Sequence, residues 1–174
     1  INRLLEGAKN VTPAASEVAT YNNILAQARA IRAYCYLQLE TYFSTDMKDP
    51  NALGTILFDK VPTTDEKLPR AKNSEIYALI NSDLDYARGI LTYGKDRYYV
   101  DKGFVNALSA RFNLYRGNYA LAKQYAQDVI SNAGLTLTPA TPIQPAVDNP
   151  PAIGSSAWNT AFYATASSFN PYRN

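Results

Sequence analysis

Ala107-Leu108-Ser109-Ala110-Arg111-Phe112-Asn113-Leu114-Tyr115-Arg116-Gly117-Asn118-Tyr119-Ala120-Leu121-Ala122 decides how this chain folds. Asp101 is placed to cap a helix that runs to about Arg116 and stops at Gly117. A second short helix covers Tyr119 to Ser131 and is closed by Gly134. Only two residues separate Arg116 from Tyr119, so the two helices must turn back on each other as a tight antiparallel hairpin.

Small residues and aromatics inside that hairpin, Ala110, Gly117, Tyr119 and Ala122, recur at the offsets of the tetratricopeptide pattern. In that pattern small residues let helices cross closely and an aromatic fills the gap. Asn106 stands where the pattern has tryptophan. The expected architecture is all-α: tetratricopeptide-like helical hairpins in an α-α superhelix, with irregular insertions and a Pro-rich loop tail.

Working outward, a long helical segment is expected from about Thr12 to Phe43, with Thr12-Pro13 as cap and first turn. Ile24, Ala28, Ile31, Cys35 and Leu39 step by three and four and form one apolar face. Leu25, Ala33, Tyr36 and Leu37 form a second, as on a helix sandwiched between neighbours. Ser44 to Asn51 is a loop, and the β-branched and aromatic run from Gly54 to Phe58 is extended. Val61 to Pro69 is irregular. Asn73 or Ser74 caps the next helix, with Glu75 in its first turn and a stripe of Ile76, Leu79, Ile80, Leu84, Ala87 and Leu91.

Composition sets the limits. With 174 residues and a formal net charge of +2, the chain fits one domain with an appendage and lacks the basic excess of a nucleic-acid binder. It has no histidine, which removes histidine-based triads, the commonest zinc ligand and the usual general base. One cysteine, Cys35, cannot form an internal disulfide and reads as a small core residue. No apolar run approaches the roughly 20 residues of a membrane helix. Six of the 10 prolines follow Ser131, where only Asp148 and Arg173 are charged, so residues 135–174 read as a loop layer on a scaffold of residues 1–134.

Three stretches, in order, resemble the SusD/RagB family of outer-surface nutrient-binding lipoproteins of Bacteroidetes-type bacteria. Ala28-Arg29-Ala30-Ile31-Arg32-Ala33-Tyr34-Cys35-Tyr36 is similar to its signature helix. Leu68-Pro69-Arg70, then Glu75, Ile76, Tyr77, Ile80 and Asp83-Leu84-Asp85-Tyr86-Ala87, is similar to its second block. Ala107 to Tyr115 with Gly117, Asn118 and Tyr119 is similar to its third. The resemblance implies a non-catalytic, cofactor-free protein that binds a glycan or peptide and passes it to a TonB-dependent SusC-like transporter. It also implies an outward-facing position on the outer membrane. Family chains are much longer, so this sequence is expected to cover the scaffold and the start of the variable ligand-facing layer, with lipid anchor and export signal outside it. The alternative is a tetratricopeptide-type adaptor that holds a peptide in a groove; the long insertions, Ser44 to Lys72 and Thr92 to Tyr99, disfavour it.

Candidate chemistry is sparse. Asp83 and Asp85, two apart on a helix, do not face each other as a catalytic carboxylate pair would. Asp46, Asp49 and Asn51 share a loop that lacks the pattern of a calcium site. Arg29, Arg32 and Arg111 lie in apolar helices, either to hold an anion or to fix helix stacking by pairing with Asp83, Asp85 or Glu40; Asp83 is the expected structural partner. Sugar rings stack their CH faces on aromatics that stand on loops. Tyr98, Tyr99, Trp158, Tyr163 and Tyr172 meet that condition, Trp158 foremost, although it could equally anchor the tail. Tyr34, Tyr36, Tyr86, Tyr115 and Tyr119 sit at packing positions.

Overall fold

A computed structural model describes residues 1–134 other than 64, 95 and 97. The ligand-facing layer expected at residues 135–174, with its Pro-rich tail, lies outside the described residues. Five helices, α1 (Asn2–Ala8), α2 (Val18–Phe43), α3 (Asn73–Ile90), α4 (Lys102–Tyr115) and α5 (Tyr119–Asn132), carry the fold. Two short strands, β1 (Leu53–Ile56) and β2 (Arg70–Lys72), pair antiparallel within the insertion between α2 and α3. The described residues are therefore mainly helical, built of α2/α3 and α4/α5 hairpins of tetratricopeptide type, as the sequence implies.

Each of the last three helices ends where its local chemistry dictates. The Asp101 carboxylate accepts the Phe104 N–H at 2.8 Å and caps α4. Gly117, at φ 78°, makes the left-handed turn that a side chain would disfavour. At α3 the cap is Lys72, one residue before the expected position. Glu75 reaches back to the Lys72 N–H at 2.9 Å, leaving Asn73 as the first helical residue. The freed Asn73 amide is buried and donates to the carbonyls of Asp46 at 2.7 Å and Asp49 at 2.9 Å, pinning the 46–49 loop.

The core lies between α2, α3 and α4. The α3 stripe is as expected, with Ile76, Ile80, Leu84, Ala87 and Leu91 buried. Two expectations for α2 are overturned. It begins at Val18 rather than Thr12, because residues 15–17 form a turn that separates it from α1. Its buried residues are Ala26, Ala28, Ala30, Ala33, Tyr36, Leu37 and Glu40; of the expected face only Ala28 is buried, whereas Ile24, Ile31, Cys35 and Leu39 are exposed. The small alanines let α3 approach closely, and close packing outweighs the larger apolar surface left on the far side. Cys35 is thus not a core residue.

Most polar side chains that reach the core are tied, Glu40 Oε2 excepted. Arg32 grips Asp83 through two parallel hydrogen bonds of 2.7 and 2.8 Å, the pairing expected from the sequence. Arg29 lies over the Tyr86 ring at 4.1 Å, and Arg88 pairs with Asp85. Arg111 is exposed. The Tyr36 hydroxyl donates to the Phe58 carbonyl at 2.7 Å and accepts the Phe58 N–H at 2.6 Å, fastening the insertion to α2. Tyr34, Tyr115 and Tyr119 were expected to pack but are exposed, although the Tyr34 ring still lies beside that of Phe104, 6.1 Å between centroids.

Candidate functional site

Between α3 and α4 the chain makes the loop that carries Tyr98 and Tyr99. Asp101 closes its base twice: one carboxylate oxygen caps α4 and the other accepts the Gly94 N–H at 3.0 Å. The Lys102 N–H donates to the Thr92 carbonyl at 3.1 Å, and the Val100 N–H donates to Gln27 Oε1 at 3.3 Å, which fastens the loop to α2. At the tip, the Asp96 carboxylate accepts the Tyr98 N–H at 2.9 Å and sets a local turn. A braced base with two aromatics at its summit keeps those rings out of the core.

Tyr98 is 94% exposed and Tyr99 65%. Tyr99 stands between two depressions. One, of about 640 Å³, is lined by Phe104, Ala107, Val129 and Ala133 and is mainly apolar. The other, of about 400 Å³, is bounded by Asn23, Ile24, Gln27 and Leu91. Gly94, Asp96, Tyr99 and Asp101 border both, so the loop forms a ridge with a ring on its crest. A flat ring beside an apolar floor, with carboxylates and amides at its edge, suits a sugar: the ring takes the CH face and the edge takes hydroxyls. Trp158, Tyr163 and Tyr172 lie outside the described residues.

The acidic sequence candidates have structural employment. In the 46–51 loop, Asp46 accepts the Lys48 N–H at 2.9 Å and Asp49 accepts the Asn51 N–H at 2.8 Å, each closing its own turn. Asp83 is committed to Arg32. A polar cluster that sequence reasoning missed centres on Asn106, the residue at the tryptophan position of the tetratricopeptide pattern. It is buried and accepts from Arg88 Nε at 2.8 Å while donating to Asp128 at 2.5 Å. Tyr93 also donates to Asp128. That hydrogen bond, with those from Asn132 and Asn106, holds the Asp128 pKa below its ordinary value, while burial and Asp128 push the Tyr93 pKa up. A polar residue at a pattern position reserved for a large aromatic is the signal that could have found it.

No family sequence model matches the chain, and no curated protein matches it. Solved structures do. A SusD-like carbohydrate-binding protein of Bacteroides vulgatus is 27% identical and superposes with a TM-score of 0.67 over 79% of this chain and 30% of its own. In fold the chain is similar to SusD-like proteins. A SusD superfamily protein of Bacteroides thetaiotaomicron shares the fold at 23% identity and a TM-score of 0.72, over 79% of this chain and 31% of its own. A laminarin-binding SusD-like protein does so at 23% identity and a TM-score of 0.61, over 74% and 26%. This chain therefore spans less than a third of the length of each. The three sequence blocks that suggested the resemblance map onto α2, α3 and the α4/α5 hairpin, the elements that make the scaffold.

Proposed function

We propose that this chain supplies the scaffold of a non-catalytic cell-surface protein that captures a glycan and delivers it to a TonB-dependent SusC-like transporter. The observation that carries the reading is the superposition, at 27% identity, on the SusD-like carbohydrate-binding protein of Bacteroides vulgatus. Residues 1–134 act as the scaffold and residues 135–174 open the variable ligand-facing layer. Tyr98 and Tyr99 contribute stacking surface from the scaffold, and Trp158, Tyr163 and Tyr172 contribute it from the layer. Binding by stacking and hydrogen bonds needs no cofactor, and a histidine-free chain suits that task. Such a protein sits outward-facing on the outer membrane, held by a lipid anchor.

The peptide-adaptor alternative is less well supported. An adaptor groove needs hairpins stacked without interruption, whereas here the insertion between α2 and α3 builds its own small sheet and fastens to both helices. Affinity electrophoresis of the full chain across a panel of soluble polysaccharides, laminarin included, tests the reading. Retardation by one polymer supports glycan capture. No retardation by any polymer overturns it and moves the weight to peptides.

A further inference from the structure

Beside α5, away from the Tyr98–Tyr99 ridge, a cleft of about 540 Å³ is lined by Arg88, Asn106, Gln124, Tyr125, Gln127 and Asp128, among others. Small-molecule sites commonly measure about 300–1,000 Å³. Its floor is rigid. Arg88 donates through Nε to Asn106 at 2.8 Å, through Nη2 to Ser109 at 2.6 Å, and through Nη1 to Asp85. Asn106 and Tyr93 donate to one oxygen of Asp128, and Asn132 donates to the other at 2.9 Å. The immobilised guanidinium lies 4.6 Å from the centroid of the Tyr125 ring, which sets that aromatic at the rim.

Charge in the cleft is balanced. Arg88 is matched by Asp85, and Asp128 faces Lys102, whose charge helps keep it ionised. An anionic ligand would require an unmatched cation, and an apolar ligand would require an apolar floor. What the cleft offers instead is solvent-facing amide groups: Gln124 and Gln127, both exposed, line it. Each amide both donates and accepts, as a hydroxyl does. An aromatic ring at the rim, planar polar groups and balanced charge together fit a neutral ligand rich in hydroxyls.

We propose that this cleft is a second glycan subsite, binding a neutral sugar unit through Tyr125, Gln124, Gln127 and the Arg88–Asp128 floor. The proposal rests on the glycan-capture reading above. It separates the subsite from the Tyr98–Tyr99 ridge by the thickness of the last turns of α5, whose Val129 and Ala133 face the ridge side while Asp128 and Asn132 face the cleft.

The test is affinity electrophoresis of the full chain on the same polysaccharide panel, comparing the parent with Gln124→Ala/Gln127→Ala and with Tyr125→Ala. Melting temperature is followed for each. The double variant removes only exposed amides and should melt like the parent. Where the parent is retarded, the proposal expects the double variant to bind roughly tenfold more weakly, as for two lost hydrogen bonds. A parent that is retarded while both variants match it overturns the cleft and leaves the glycan reading standing. A parent retarded by no polymer overturns both.

Discussion

Arg32 and Asp83, 51 residues apart in the chain, meet as a bidentate ion pair with only 12% and 1% of their side chains exposed. The pair is the polar bolt between α2 and α3. A third bond from Arg32 Nη1 to Asn2 Oδ1, at 3.1 Å, extends it to α1, and Asn2 in turn donates to the carbonyls of Phe58 and Lys60. Burial opposes the charge on Arg32, but the hydrogen bond and charge of Asp83 outweigh it and raise the guanidinium pKa.

Arg32→Ala leaves the Asp83 carboxylate buried without its partner. The expected loss is about 3–5 kcal/mol in unfolding free energy, read by urea denaturation. Polysaccharide retardation, scaled to the folded fraction, stays as in the parent. A variant as stable as the parent would remove the bolt from this description.

Glu40 behaves differently. Its carboxylate is fully buried at the junction of α2, β1 and α3; one oxygen accepts the Thr55 N–H at 2.8 Å and Oε2 has no partner among the described residues. Burial pushes its pKa up, partly offset by the Thr55 N–H and by Arg70. A carboxyl that holds its proton more tightly when folded stabilises the fold most at low pH. That contribution fades as pH rises from the unfolded value, about 4.3, through the raised folded one. Glu40→Gln keeps the shape without the charge, so it should flatten the decline of stability with pH. Above the folded pKa it should match or exceed the parent. Equal slopes in the two proteins from pH 4 to pH 8, by the same denaturation assay, would contradict this.

Gly54 is the neighbour that makes room for that carboxyl. A β-carbon there would lie 2.3 Å from Glu40 Oε1 and 2.7 Å from Asn73 Oδ1. Gly54→Ala should therefore cost about 1–3 kcal/mol, the usual range for overpacking. The combination with Glu40→Ala should recover part of the loss, since it removes the carboxyl in the way. Thermal melts of the single and double variants decide it: additive losses would show that the clash lies elsewhere.

Tyr98 makes no packing contribution to lose. Tyr98→Ala should leave the melting temperature within about 1 °C of the parent, as befits a surface change within about 0.5 kcal/mol. If the ridge takes part in capture, the variant should migrate faster than the parent in polysaccharide gels. Trp158→Ala run alongside asks the same of the layer: weaker binding with an unchanged melt assigns Trp158 to the ligand, and unchanged binding with a lowered melt assigns it to packing.

Parts of this structure were legible in advance because one local feature decides each. The α3 stripe has apolar residues on one side only, so periodicity names its buried face. Asp101 and Gly117 mark helix ends by the chemistry of a single side chain or its lack. The Arg32–Asp83 pair was legible because a charged residue inside an apolar helix must find an opposite charge. The buried face of α2 was not legible, because apolar residues cover both its sides and periodicity cannot choose between them. The Asn106 cluster was not either: its partners Arg88 and Asp128 come from helices 18 and 22 residues away.

By itself, then, the sequence determined the helical hairpins, their turns, the absence of histidine chemistry and the likeness to the SusD scaffold, all of which follow from local spacing and composition. Tertiary structure alone decided which side of α2 is core, that Cys35 faces outward, and that Glu40 is buried beside Gly54. It also decided which amides line the cleft against α5. The physical reason is that close packing is a property of two surfaces at once. The alanines at 26, 30 and 33 became an interface only because α3 fits against them, and a spacing within one helix carries no information about the shape of its neighbour.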